Sequence, residues 1–263
     1  NSLPFEDNGD IWSMGKQFVR NVLTEKEVKY SYSNLRRHCL ISGITGSGKT
    51  NTVMSLLKGS PVPFLIIEPT KQEYRHLLSI DPTVKVYTPG NERVSPIRLN
   101  PFYFPKGISV MSHIDSLKAV FMSAFSMYAS MPNILEQCLY SIYQKVGWDL
   151  NQSINVFAND DVDLTHFPTL ELLYVEINSY LDQSGYAEEQ KSNIRAALLT
   201  RIKSLMTGSK GKMLNTQETI DFADLLSSKV VIELEEIADE DDKALIMGLF
   251  FIRLSEQFKV DAE

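Results

Sequence analysis

The residues with the clearest chemical potential are Gly43-Ile44-Thr45-Gly46-Ser47-Gly48-Lys49-Thr50. They fit the phosphate-binding pattern G-x-x-x-x-G-K-[ST], which arises by chance in about one chain per hundred of this length at ordinary residue frequencies. Glycines let successive backbone N–H groups curl around a triphosphate, and a helix starting at the last glycine adds the positive end of its dipole. Gly43, Thr45, Gly46, Ser47, Gly48 and Asn51 would then line the phosphates. Lys49 would neutralise the β- and γ-phosphates, and the Thr50 hydroxyl would ligate Mg²⁺. The cofactors expected are ATP and Mg²⁺. No Asn-Lys-x-Asp run is present to read a guanine.

Such a loop works only between a strand and a helix, and the surrounding pattern supplies both. Residues 39–42 read as a short buried strand and 48–57 as a helix. Further strands are expected at 64–67 and 84–87, with a short helix at 71–78 between them. Continuous apolar runs alternating with helices argue for a parallel sheet covered on both faces. Val110, Ile114, Leu117, Phe121, Phe125 and Tyr128 recur at steps of three and four, the stripe of one helix. Residues 134–146, 170–181 and 188–206 read likewise. The chain returns to strand at 229–234 and ends in a helix over 239–258, apolar on nearly all sides. Strand-like pieces at 17–22 and 28–32 precede the loop. The fold class expected is α/β, a P-loop sheet with a large helical insertion. Residues 1–37 form lead-in strands, 38–105 with 227–263 the ATPase core, and 106–226 the insertion. The start at Asn1 and the stop just after a helical pattern read as a piece of a longer protein.

Composition is that of an ordinary globular chain: 263 residues, 43% hydrophobic and 22% charged. The net charge of −7 equals the seven acids of residues 233–242, which hold no base, so the remainder balances to zero. That acidity is expected at a helix N-terminus, where the dipole favours it. It argues against a nucleic-acid coat protein, not against DNA held through a few loops. Cys39 and Cys138 form no disulfide framework, and no apolar run reaches the roughly 18 residues of a membrane helix, so a cytoplasmic protein is expected. His38, His76, His113 and His166 lack metal-ligand spacing.

Three segments in order resemble the HerA/FtsK superfamily of DNA-pumping ATPases. Arg37-His38-Cys39-Leu40-Ile41-Ser42 leading into the glycine loop is similar to that superfamily's opening. Phe64-Leu65-Ile66-Ile67-Glu68-Pro69-Thr70-Lys71-Gln72-Glu73-Tyr74 resembles its next strand. Tyr87-Thr88-Pro89-Gly90, then Ser95-Pro96-Ile97-Arg98-Leu99-Asn100-Pro101-Phe102, resembles a third motif. The resemblance is closest to bacterial HerA-like proteins carrying the HerA central domain. It implies a RecA-like sheet, homo-hexameric rings with ATP between subunits, DNA as partner, and a nuclease partner in DNA processing or defence. It also implies an acidic pair after the long helix; no such pair follows here, so those acids are expected beyond Glu263 and hydrolysis by this chain alone should be weak.

The substitute acids carry open alternatives. Glu68 either orders a Mg²⁺-bound water or caps the next turn. Glu233, Glu235 and Glu236 either activate water or form a strand end with a solvated acidic loop. Lys71 and Tyr74 read as structural or subunit-contacting, Asn100-Pro101 as a rigid turn. Lys191, Arg195, Arg201, Lys203, Lys210 and Lys212 lie in a run without acids, and the loop 207–212 would offer mobile charge to DNA phosphates. Arg201 is a candidate to reach a neighbouring subunit's triphosphate. Two other readings stay open: a conjugation or secretion ATPase, and an ATP-gated scaffold with little turnover.

Overall fold

The computed structural model describes residues 11–31, 38–158 and 162–262. Parts of the predicted lead-in, with Tyr32 and Arg37, lie outside them. The chain divides into two compact units, residues 1–63 with 73–84, and residues 64–72 with 85–263.

The first unit carries an antiparallel hairpin of β1 (Ile11–Val19) and β2 (Val22–Ser31). Its two-residue turn, Arg20-Asn21, holds φ at 45° and 63°, the left-handed geometry that matches strand twist. Helix α1 (Lys49–Leu57) follows the glycine loop, and a 3₁₀ segment (Glu73–Ser79), in which Leu77 is buried, packs near it. The strand expected at 39–42 is not formed. Residues 38–44 have no regular structure, and Leu40 is 88% exposed. Among the described residues no strand pairs with this run. An apolar run becomes a strand only when a neighbour takes its backbone hydrogen bonds and a layer covers it.

The second unit is built on a parallel sheet in the order β3 (Phe64–Glu68), β7 (Lys229–Glu233), β4 (Lys85–Tyr87). The late strand thus inserts between two early ones, and its residues Val230 to Glu233 are fully buried. Central position explains why β7 needs an uninterrupted apolar run. Helices α2 (Val110–Ala124), α3 (Met131–Lys145), α4 (Leu170–Gln183), α8 (Phe222–Ser227) and α9 (Glu240–Ala262) surround the core. The predicted stripe Val110, Ile114, Leu117, Phe121 is fully buried. Tyr128 falls outside because α2 stops at Ala124. Helices α2 and α9 pack closely enough that a Cβ on Gly248 would lie 2.7 Å from Val120. Helix α9 is not buried all round: Phe251 and Phe258 are more than half exposed.

Between α3 and α4 lies a small hairpin of β5 (Trp148–Asp149) and β6 (Ile154–Asn155). The helix expected over 188–206 is continuous but not uniform. A π turn (Arg195–Leu199) joins α5 (Glu188–Ile194) to α6 (Thr200–Leu205). The glycine-serine-lysine stretch expected as a mobile loop is instead helix α7 (Gly208–Leu214). Composition misleads there because Gly211 serves packing: a Cβ on it would sit 2.1 Å from the Met206 carbonyl oxygen.

A buried polar cluster ties α9 to α2. His113 Nδ1 lies 2.6 Å from Glu256 Oε1 and its Nε2 3.2 Å from the Pro101 carbonyl. Arg253 donates to Glu256 and to the Tyr103 carbonyl, with its guanidinium over the Tyr103 and Phe222 rings. Burial lowers the Arg253 pKa from its ordinary value. Burial likewise pushes the Cys138 thiol up to about 12, so it is an inert core residue. Asn100 is the rigid turn expected: its Oδ1 accepts from Phe102 N at 2.9 Å, and its Nδ2 donates to the Pro168 carbonyl. No helix among the described residues is long and apolar enough to cross a membrane.

Candidate nucleotide-binding site

The glycine loop closes on itself before it meets the helix. Ser47 N donates to the Ile44 carbonyl at 3.2 Å, and Gly46 and Gly48 sit at φ 81° and 88°. Both are left-handed positions that cost an ordinary L residue about 1–2 kcal/mol. Gly43 lies close under Ser47: a Cβ there would sit 2.5 Å from Ser47 Oγ, so the hydroxyl would have to turn away.

Helix α1 therefore starts just after Gly48, which offers no side chain to cap it, and its first turn holds no acid. The first backbone bond into the helix is Thr52 N to the Gly48 carbonyl. The amides of Gly48, Lys49, Thr50 and Asn51 have no partner among the described residues. Four adjacent donors at the positive end of a helix form an anion cradle. Lys49 Nζ folds back over the loop, donating to the Gly43 and Ile44 carbonyls at 2.9 and 3.0 Å. Those partners are neutral, and no carboxylate among the described residues pairs with this ammonium. The donor set suits a polyphosphate: amides in an arc, one uncompensated cation, and a Thr50 hydroxyl without a protein partner among the described residues. With nucleotide bound, these groups would hold the phosphates, and a magnesium ion would neutralise them further.

The candidate acids belong to the second unit. Glu68 and Glu233 stand directly opposite each other in the β3–β7 register, at the carboxyl ends of adjacent parallel strands. Open α/β sheets bind ligands at this edge. Glu68 Oε1 accepts from Thr70 N, Thr70 Oγ1 and Lys71 N at 3.0–3.2 Å, the turn-capping alternative. Glu233 is fully buried, whereas Glu235 and Glu236 lie exposed on the turn after β7, with Glu236 accepting from Asn91. The pairing of Glu68 with Glu233 could not be read from sequence, because no local signal says that β7 joins β3.

The bases considered for DNA are largely engaged. Lys191 pairs with Glu188, Arg195 with Asp182, Arg201 with Asp241 and Lys210 with Asp242. Two of those acids come from the acidic patch itself. Among the described residues no group of three acids, histidines or cysteines forms a metal cluster.

Comparison with known proteins bears on this geometry. The sequence matches the family described as Helicase HerA, central domain, over residues 21–254. The chain belongs to that family. It is a HerA-type P-loop ATPase domain, a family that implies nucleotide binding. Among solved structures it is similar to VirB4 of Thermoanaerobacter pseudethanolicus, with 15% identity and a TM-score of 0.58, covering 82% of this chain and 77% of that one. At that identity the likeness concerns the fold, and it agrees with an α/β domain on a parallel sheet. No curated protein matches this HerA-type sequence.

Proposed function

We propose that this HerA-type domain binds ATP with Mg²⁺ through Gly43–Asn51 and forms the core of a ring-forming, ATP-driven DNA translocase or helicase. The observation that carries the nucleotide reading is the uncapped start of α1, with its four amides and the uncompensated Lys49. Residues 38–105 with 227–263 act as the ATPase core and 106–226 as an insertion. ATP sits between subunits of a homo-hexamer, a neighbour's arginine completes the site, and a nuclease acts alongside. Thr50 holds the metal. The candidate acids are Glu68, Glu233 and Glu235, of which Glu233 is buried at the end of β7, Glu68 Oε1 caps its own turn and Glu235 faces solvent.

A second reading, a conjugation or secretion ATPase, is favoured by the bases. Four of the six that would have touched DNA are neutralised by acids of the same chain. The deciding experiment is ATP turnover with and without duplex DNA, beside Lys49→Ala. Turnover that rises with DNA and vanishes in the variant is the expected result. ATP binding without DNA-stimulated turnover overturns DNA pumping and leaves the secretion or scaffold reading.

A further inference from the structure

Charge is distributed unevenly in a way that the net figure hides. Residues 146–190 contain nine acids and not one lysine or arginine. Several are neutralised from elsewhere: Glu176 by Lys145, Asp182 by Arg195, Glu188 by Lys191. Asp149 and Asp163, beside the β5–β6 hairpin, pair with no lysine or arginine among the described residues. Asp149 uses its carboxylate to cap the Asn151 and Gln152 amides, and the Asp163 carboxylate accepts from Thr165 and lies 3.0 Å from His166 Nδ1.

The same hairpin displays large apolar side chains to solvent. Ile154 is 51% exposed, Val156 64%, Phe157 65% and Val162 44%. Cavities flank it on both sides of Trp148. One, of about 410 Å³, is lined by Phe104, Ile108, Trp148, Ile154 and Val162, with Lys106 at its edge. The other, of about 430 Å³, is lined by Met111, Tyr140, Trp148, Leu150 and Val156.

This is a stiff surface. Asn155 is buried, donates to the Val146 carbonyl and accepts from the Phe157 and Ala158 amides. Ser153, at φ 56°, accepts from Val110 N and so pins the turn to the start of α2. The Phe157 ring lies so close to Gly147 that a Cβ there would meet it at 2.5 Å. Apolar groups held in fixed positions lose little entropy on being covered.

We propose that the β5–β6 hairpin is a docking surface for a partner protein segment that combines lysine or arginine with aromatic or branched apolar side chains. The apolar anchors would enter the cavities beside Trp148, and the bases would meet Asp149 and Asp163. Nucleic acid fits less well, because Asp149 and Asp163 face its phosphates and Lys106 is the one lysine or arginine among the described residues that line the cavities. A second copy of this chain also fits less well, since a self-complementary contact would bring two like-charged faces together.

The test is selection from a displayed random-peptide library on the purified chain, with Phe157→Asp and, separately, Val156→Asp as counter-targets. Both side chains are exposed, so thermal unfolding of the variants should match that of the parent. Enriched peptides are expected to carry Lys or Arg beside Trp, Phe, Leu or Ile. They should change Trp148 fluorescence, weaken as salt is raised, and bind each variant about tenfold less tightly, about 1.4 kcal/mol. Failure to enrich any sequence, enrichment of acidic peptides, or equal binding to the variants overturns the proposal. So does duplex binding, or self-association in sedimentation, that the substitutions abolish.

Discussion

The helices that begin at Lys49 and at Glu240 present opposite N-termini. At α9, Asp239 Oδ1 accepts from Asp242 N, and the first turn carries Glu240, Asp241 and Asp242. These acids answer the helix dipole and also grip bases: Glu240 pairs with Lys243, Asp241 with Arg201, Asp242 with Lys210. At α1 there is no cap and no acid, only glycine, lysine and free amides. One terminus is answered by acids of the chain, and the other has no capping side chain and no acid among the described residues. The unanswered terminus forgoes roughly 1 kcal/mol of capping that the other gains.

That contrast can be broken at either end. The largest effect is expected from Lys49→Ala, which removes the Lys49 ammonium from the open terminus. ATP affinity should fall roughly a hundredfold, about 3 kcal/mol, by calorimetry, with the unfolding midpoint unchanged because the side chain bonds only loop carbonyls. Next comes Asp242→Asn at the closed terminus. It leaves Lys210, 23% exposed, facing a neutral group, and should cost roughly 3 kcal/mol in denaturant unfolding. Adding Lys210→Met should restore most of the loss; no restoration would mean that Asp242 acts through the helix alone.

Asn51→Glu makes the open terminus resemble the closed one. The added carboxylate in the first turn should raise stability by about 0.5 kcal/mol while weakening ATP about fivefold by repulsion. Movement of both in the same direction would refute the trade-off. The smallest effect involves Glu92, outside both termini. The Arg98 guanidinium holds its carboxyl below the ordinary value, against the opposing effect of burial. A carboxylate shifted down contributes stability above its unfolded pKa, about 4.3, and loses it as pH falls through the folded value. The stability gap between parent and Glu92→Gln should therefore be constant above pH ~5 and shrink below pH ~4.

What the sequence revealed follows the same division. The phosphate loop was legible because its parts are local: glycine positions, a lysine and a helix start, all within nine residues. The strands β3, β4 and β7 were legible as apolar runs, yet their order was not, and with it went the pairing of Glu68 and Glu233. Residues 39–42 have the same apolar look as β3 but no partner among the described residues, so a local signal overpredicted a strand. Residues 207–212 have a loop's composition but lie largely in α7, where Gly211 fits against Met206 and Lys210 reaches a carboxylate distant in sequence, Asp242. The acid-rich stretch 146–190 was readable by counting and was hidden by bases elsewhere that brought the sum to zero.

The π turn at Arg195–Leu199 sets the phase of everything after it. Ile194 and Leu198 before it and Ile202 and Leu205 after it are all buried, while Arg195 reaches Asp182 and Arg201 reaches Asp241. Forcing regular α-helical hydrogen bonding through this turn at the same chain length would rotate the following segment by about 100°. Ile202 and Leu205 would swing out of the core, and Arg201 would lose Asp241. The length of this helix is therefore fixed by angle, and the irregular turn is the spacer that keeps two faces of one helix in register with two different neighbours.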